Sequence, residues 1–210
     1  MPWHAKEIGG YLRTSQEAKD NCDIIRSMLE NDGWTINAIS GVCGNIGSEG
    51  VYNPWRYEND VVLTRAQCDY ADTGYGMLGY TPVSKYIQVA NQTIPGYDPH
   101  CLDVPGSPSD GEGQINFLIR NPNLYVYHPE YPLTLQEYKE STASPSYLAE
   151  VWLANYEMPL DPSATINDRK NEAVYWYEYF TGSPPPPPPP IIKPKKRFKW
   201  WMYLPNPMPF

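Results

Sequence analysis

The chain has 210 residues, enough for one domain of ordinary size and an appendage. Its formal charge of -8 is unevenly spread, because residues 184–210 hold five basic and no acidic side chains and leave -13 on the rest. A body this acidic argues against a nucleic-acid-binding enzyme, for which a basic surface is expected.

The first predicted helix follows a polar run. Thr14-Ser15-Gln16-Glu17 has the pattern of a capping box, in which a hydroxyl and a carboxylate three residues later satisfy backbone N–H groups at a helix start. Gly33 is expected to end this helix. Its apolar residues recur at helical spacing: Ala18, Cys22, Ile25, Met28 and Leu29.

A second helix is predicted to begin near Thr35. It carries Gly41, Gly44 and Gly47 at three-residue spacing. Glycine lowers helix propensity but allows another backbone to approach closely. These glycines therefore predict tight helix packing.

The same helix has an apolar stripe that ends in an acid. Ile39, Val42, Ile46 and Glu49 follow at steps of three, four and three, so Glu49 is expected to point inward. Burial disfavours the anion of a carboxyl group, so an acid at such a position keeps its proton closer to neutral pH. Glycoside cleavage needs a proton donor of this kind. The alternative is that the helix has frayed by residue 49 and Glu49 is a solvated surface group.

The rest of the chain mixes loops and helices. Residues 50–80 alternate turn residues and aromatics with short β-prone pieces, which indicates hairpins or extended loops. Thr81-Pro82 is expected to open a helix that runs through Ala90, and residues 91–110 are expected to form a loop. Further helices are predicted near 111–120, 134–140, 145–157 and 165–181.

Seven consecutive prolines, Pro184 to Pro190, predict a stiff polyproline II spacer of about 22 Å at roughly 3.1 Å per residue. The segment Ile191–Phe210 mixes basic and aromatic residues that no neighbouring segment can bury, and we expect it to dock on a partner protein. A membrane interface, an anionic wall polymer or a disordered tail are the alternatives. The predicted division is a domain over 1–182, a linker over 183–192 and a docking tail over 193–210.

The cysteines do not predict a metal site. Cys22, Cys43, Cys68 and Cys101 form no C-x-x-C pair, and no histidine stands at zinc-ligand spacing, so neither a metal nor another cofactor is expected. Their disulfide state stays open. The N-terminus lacks an apolar stretch of signal-peptide length, and no apolar run is long enough to cross a membrane. An enzyme of this sequence that acted on a cell wall would have to travel in an assembled particle or by another export route.

Several motifs occur in a characteristic order. Gly44-Asn45 precedes Glu49, and Asn53-Pro54 and the turn Gly74-Tyr75-Gly76 follow before Thr81-Pro82. This order resembles the phage tail lysozyme family, in which a GNxxxE glutamate precedes an N-P pair and a G-x-G turn that ends in T-P. The resemblance covers roughly residues 7–181 and includes Asn155-Tyr156-Glu157.

The chain departs from the family pattern in two places. The family usually carries glutamine and tryptophan where this chain has Gly79 and Tyr80, and an E-R-P triplet reads Glu157-Met158-Pro159 here. The first departure is expected to change substrate contacts, and the second to be structural.

The resemblance implies a mainly α (α+β) fold, with a lysozyme-like helical lobe, a small β-hairpin or loop lobe, and a cleft between them. It implies a muramidase that uses Glu49 as general acid on the glycan strand of bacterial peptidoglycan. Such a protein would be carried in the virion at the phage tail tip, attached through Ile191–Phe210 to a tail structural protein.

A second group must handle the charge that develops at the anomeric carbon. We predict Asp72, because an aspartate just before a G-x-G turn resembles the arrangement of goose-type lysozymes, with Glu58 and Asp60 as alternatives. A carboxylate roughly 6.5 to 9.5 Å from the acid predicts inversion, whereas attack by the sugar's own hydroxyl would give an anhydro product, as in lytic transglycosylases. Candidate substrate-binding residues, each of which could equally be core, are Tyr52, Asn53, Trp55, Tyr75 and Tyr80.

Two other functions compete with an enzyme of phage infection. The chain could be a non-catalytic tail plug or wall-binding module that keeps the lysozyme fold, and the altered turn at Gly79 and Tyr80 favours this reading. It could also be an exported lysozyme-like toxin.

Overall fold

The computed structural model describes residues 3–6, 8–56, 58–60, 67, 72–82, 109–158 and 165–187. Beyond Thr81 and Pro82, the predicted helix through Ala90 falls outside these residues, as do positions 91–108 of the predicted loop and the docking tail over 193–210. Cys68 and Cys101 also fall outside them. The predicted end of that loop at residue 110 is wrong by two residues, because a helix begins at Ser109. Of the polyproline run, Pro184 to Pro187 are described, and they belong to no helix or strand.

The described residues are mainly helical, which confirms the predicted class. Two isolated antiparallel bridges, Tyr75 with Tyr80 and His128 with Tyr131, represent β structure among them. The α-helices are α1 (Gln16–Asn31), α2 (Ile36–Glu49), α3 (Ser109–Arg120), α4 (Leu135–Lys139), α5 (Pro145–Trp152) and α6 (Ile166–Thr181). Two 3₁₀ turns cover Glu58–Asp60 and Pro122–Leu124, and a π turn covers Leu153–Glu157 directly after α5.

The helix starts follow the expected capping chemistry, with one correction. Ser15, not Thr14, caps α1, and its side chain accepts a hydrogen bond from the backbone N–H of Ala18. The capping box predicted from Thr14 and Glu17 is therefore wrong by one residue. Helix α2 begins where it was predicted, and Thr35 caps it, since its hydroxyl oxygen accepts from the N–H of Ala38 at 3.2 Å.

Helix α2 is the central element and packs mainly on α6 and α5. The residues Ile39, Val42 and Ile46 of its apolar stripe are fully buried. A Cβ atom at Gly41 would lie 2.7 Å from the hydroxyl of Tyr138, and one at Gly44 would lie 2.5 Å from the backbone carbonyl of Arg169. The glycines thus let neighbouring elements approach α2 closely, as the sequence predicts.

The helical interior also contains two of the cysteines. Cys22 on α1 and Cys43 on α2 are buried free thiols, and burial, together with the adjacent Cys43, raises the pKa of Cys22. These two residues do not form a disulfide, and they behave as small core residues.

Candidate active site

Glu49 is the last residue of α2 and lies at the edge of a cleft. Its side chain is 30% exposed, so it is neither a core residue nor fully solvated. Ile46, one turn earlier, is the last fully buried member of the stripe. The helix has not frayed at this point, because the N–H of Gly50 still bonds to the carbonyl of Ile46 at 2.9 Å.

Arg169 of α6 holds the carboxylate of Glu49. Its Nη2 donates to Oε1 of Glu49, and its Nη1 donates to Oδ1 of Asn45 at 2.7 Å. Asn45 lies one turn before Glu49 on α2, so both acceptors face the same guanidinium. Since Arg169 is only 4% exposed, this pairing satisfies an otherwise buried cation and fixes one carboxylate oxygen of Glu49.

The turn formed by residues 75–80 covers the end of α2. A Cβ atom at Gly50 would lie 2.4 Å from Cα of Met77, and one at Gly79 would lie 2.8 Å from Oε2 of Glu49. The buried side chain of Gln114 fixes this turn through two hydrogen bonds. It accepts from the N–H of Met77 at 2.8 Å and donates to the carbonyl of Pro54 at 2.6 Å. Oε2 of Glu49, the oxygen that Arg169 does not bind, therefore faces Gly79. Gln114 holds the turn that carries Gly79 in place.

A cleft of about 320 Å³ opens beside Glu49. Its walls come from the end of α2, the 3₁₀ turn at Glu58 and the 75–80 turn. The described residues that line it are Ser48, Glu49, Arg56, Glu58, Asn59, Gly74, Gly76, Gly79 and Thr81.

The candidate second carboxylates occupy different positions. Glu58 lines the cleft, and its Oε2 accepts from the N–H of Gly74 at 3.3 Å. Asp72 is exposed and is not among the described residues that line the cleft. Asp60 ends the same 3₁₀ turn as Glu58. The structure therefore places Glu49 and Glu58 on the same cleft. Asp72 precedes the lining residue Gly74 by two positions in the sequence but does not itself line the cleft.

The five predicted substrate-binding residues are all buried, so their contact with a sugar stays a prediction. Tyr52 donates to Glu172 at 2.5 Å, Tyr80 donates to the carbonyl of Gln114 at 3.0 Å, and Asn53 ties down the N-terminal segment. In the structure, these five residues belong to the buried interior that supports the cleft. Their exposed fractions are 2% for Tyr52, 0% for Asn53, 2% for Trp55, 0% for Tyr75 and 8% for Tyr80.

The charge of Glu49 also acts on a second carboxyl group, that of Glu157. Glu157 ends the π turn after α5, and its Oε1 is buried without a hydrogen-bond partner among the described residues. Burial, and after it the negative charge of Glu49, raises the pKa of Glu157 to about 8, while the Arg169 guanidinium acts in the opposite direction. Glu157 therefore differs from Glu49, which is the carboxyl group that pairs directly with Arg169.

Sequence reasoning missed the roles of Arg169, Glu157 and Gln114. For Arg169 the sequence contained a signal, because Arg169, Ala173 and Trp176 follow at steps of four and three on α6. A cation therefore occupies a core position of α6, just as Glu49 occupies the last position of the apolar stripe on α2. Gln114 carries no comparable signal, since its role depends on the fold of the 75–80 turn.

Where the structure describes the chain, no three His, Cys, Asp or Glu side chains are grouped to hold a metal ion. None of the described helices has both the length and the apolar composition that are needed to cross a bilayer.

Comparison with known proteins adds a family likeness. The profile of a family described as phage tail lysozyme matches residues 20–180. Morphogenesis protein 1 of Bacillus phage B103 is 30% identical over 172 residues, which cover 80% of this chain and 41% of that protein. The chain thus spans well under half the length of this curated relative. The matched region includes Glu49, Glu157 and Arg169.

Proposed function

The chain belongs to the phage tail lysozyme family, and from this premise we propose that it cleaves the glycan strand of bacterial peptidoglycan, with Glu49 as the general acid. The observation that carries the proposal is the position of Glu49 on the cleft wall, with Oε1 bound by Arg169 and Oε2 against Gly79. A carboxyl group so held presents one oxygen to a bound polymer in a fixed direction.

In the proposed reaction, Glu49 delivers a proton to the bridging oxygen as the glycosidic bond breaks. The carboxylate that remains is stabilised by the guanidinium of Arg169, which is already in place and does not reorganise. Asn45 in turn fixes Arg169 from the same face of α2.

For the second group we propose Glu58, with Asp72 as the alternative to be tested in parallel. Glu58 shares the cleft with Glu49 and is anchored by the N–H of Gly74, whereas Asp72 is exposed and outside the lining. A carboxylate that directs water gives a reducing end, whereas attack by the sugar's own hydroxyl gives an anhydro end. Mass analysis of the products from Glu58→Gln and Asp72→Asn proteins distinguishes these routes.

We further propose that the protein acts in the virion at the tail tip during infection. The name of the B103 relative refers to phage morphogenesis, which supports a place in an assembled particle. The segment Ile191–Phe210, outside the described residues, is the proposed attachment to a tail structural protein because it combines basic and aromatic residues after a proline spacer.

The test compares the full chain, Glu49→Gln and Glu140→Gln on purified peptidoglycan. Glu140 is exposed at the end of α4, and its side chain bonds only to Gln136 in the described structure, so its variant controls for the loss of an acid. We expect soluble muropeptides from the unaltered protein and from Glu140→Gln, and little from Glu49→Gln. Equal release by all three proteins removes Glu49 from the mechanism, and no release by any of them favours the non-catalytic plug.

A further inference from the structure

Two residues with left-handed backbone follow α2 directly after its C-cap Gly50. Val51 has a φ of 42° and Tyr52 has a φ of 61°. Branched and bulky side chains disfavour this region, so the conformation persists only where surrounding contacts offset its cost. Many of these contacts come from the N-terminal segment, by which we mean the described residues 3–6 and 8–13.

The N-terminal segment is hydrogen-bonded to both residues of the left-handed pair. The N–H of Tyr11 donates directly to the carbonyl of Val51 at 2.7 Å. The buried side chain of Asn21 on α1 makes the second link, because its Nδ2 donates to the carbonyls of His4 and of Tyr52, each at 2.8 Å. The pair is therefore held through its backbone.

Asn53 fastens the same segment immediately after the pair. Its Nδ2 donates to the carbonyls of Lys6 and Gly9, each at 2.7 Å, and its Oδ1 accepts from the N–H of Lys6 at 3.2 Å. Asn53 is fully buried, so these bonds are shielded from water.

The Tyr52 side chain connects the pair to α2 and α6. Its hydroxyl donates to Oε2 of Glu172 at 2.5 Å, and Oε1 of Glu172 accepts from Arg13, the last residue of the N-terminal segment, at 2.9 Å. A Cβ atom at Gly47 would lie 2.2 Å from the Tyr52 hydroxyl oxygen. This hydroxyl therefore lies directly against α2, two residues before Glu49.

The left-handed pair leads the chain back to the candidate acid. Nη1 of Arg56, four residues after Tyr52, donates to the carbonyl of Glu49 at 2.7 Å, and the carbonyl of Arg56 accepts from the N–H of Gly76 at 2.8 Å. Glu49 and Arg56 both line the cleft. The conformation of the residues between them therefore sets their relative position.

We propose that the N-terminal segment is a positioning element of the catalytic site: it holds Val51 and Tyr52 in the left-handed conformation and thereby fixes the last turn of α2, which carries Glu49. The inference rests on the proposed function of Glu49 as general acid. The segment acts through the pair, without touching substrate. Its effect on the rate is large because a displacement of about 1 Å at a reacting group can lower the rate by roughly 100-fold.

Gly10→Ala separates the segment from the pair. A Cβ atom at Gly10 would lie 1.6 Å from Cγ2, 2.2 Å from Cβ and 2.7 Å from the carbonyl oxygen of Val51. Neither that Cβ nor that oxygen can rotate away, so the new methyl group must push the two apart. The matched control is Gly33→Ala after α1, where the φ of 84° adds strain but the new Cβ meets nothing within 4 Å.

The first experiment measures amide hydrogen exchange and does not depend on activity. The N–H of Gly50 bonds to Ile46 in the last turn of α2, and the N–H of Gly182 closes the end of α6 in the same way. In Gly10→Ala we expect exchange at Gly50 to be roughly tenfold faster or more, with Gly182 unchanged. In Gly33→Ala both amides should exchange as in the unaltered chain. Unchanged exchange at Gly50 in Gly10→Ala overturns the inference.

The second experiment separates positioning of the acid from a loss of folded protein. The full chain, Gly10→Ala and Gly33→Ala are assayed on peptidoglycan and on an aryl N-acetylglucosamine oligomer, whose leaving group needs no proton. We expect Gly10→Ala to lose roughly tenfold or more on peptidoglycan and far less on the aryl substrate. Equal losses on both substrates overturn the inference. If exchange at Gly50 responds but no protein releases muropeptides, the proposed function fails and the link between the segment and the end of α2 stands.

Discussion

A Cβ atom at Gly79 would stand 2.8 Å from Oε2 of Glu49, closer than side-chain carbons approach such an oxygen. Gly79 also has a positive φ of 60°, which disfavours other L residues. The position where the family usually carries glutamine therefore lies directly against the candidate acid. Its glycine makes room for that carboxylate.

We predict that Gly79→Ala loses activity by displacing the Glu49 carboxylate. The new methyl group should also cost about 1–2 kcal/mol of stability through backbone strain. The matched control is Gly182→Ala, which has a φ of 68° and nothing within 4 Å of the added Cβ. Muropeptide release and thermal unfolding of both proteins should show similar destabilisation but a loss of activity in Gly79→Ala alone; equal activities would contradict the assignment.

Arg169→Met should destabilise the fold strongly. It leaves Oδ1 of buried Asn45 and the carboxylate of Glu49 without their donor, and loss of one partner of a buried pair costs roughly 3 kcal/mol. Lys170→Met, next to it on α6, removes a more exposed pair with Glu150 and should cost less than about 1 kcal/mol. Urea unfolding measures both, and similar losses in the two proteins would show that the Arg169 cluster is not structural.

Gly44→Ala tests the close packing of α2 on α6. Alanine has the higher helix propensity, but its methyl group would lie 2.5 Å from the carbonyl oxygen of Arg169 and 2.8 Å from the N atom of Ala173. Backbone atoms cannot rotate away, so we expect a net loss of roughly 1–3 kcal/mol in the free energy of unfolding. The control is Ser27→Ala at an exposed position of α1, where only propensity changes and stability should rise slightly. A rise in both proteins would contradict the packing account.

The stability of the protein should fall as pH rises from about 4.5 to about 8. Burial raises the pKa of Glu157 above its ordinary value of 4.5 to about 8, so across this range the folded state binds a proton that the unfolded state has released. The contribution is complete below the lower value and lost through the upper one. Glu157→Gln should remove this part of the pH dependence, which urea midpoints at several pH values would measure. Parallel curves for the two proteins would show that Glu157 ionises normally.

Much of the helical framework follows from local signals. Thr35 as the cap of α2 and the glycines facing α5 and α6 were predictable because capping and close approach depend on residue type and spacing. The start of α1 was misplaced by one residue because Thr14 and Ser15 are both competent caps.

The site was predictable only in part. Glu49 was visible as the acid at the end of an apolar stripe, but Arg169, which binds its carboxylate, lies 120 positions further along the chain. Glu157 was hidden because the π turn at Leu153–Glu157 adds a residue to the helical turn and rotates the chain, so a residue off the apolar face of α5 reaches the interior. The predicted aromatic contacts followed from side-chain chemistry alone, and the fold buries those rings.

The most direct test of Glu49 as general acid varies the leaving group. The full chain and Glu49→Gln are compared on peptidoglycan and on an aryl glycoside of a short N-acetylglucosamine oligomer, whose phenolate leaves without a proton. Loss of a general acid should lower the rate on peptidoglycan by roughly 100-fold or more and the rate on the aryl glycoside far less. Equal rates of the two proteins on peptidoglycan, or equal losses on both substrates, would contradict proton donation by Glu49.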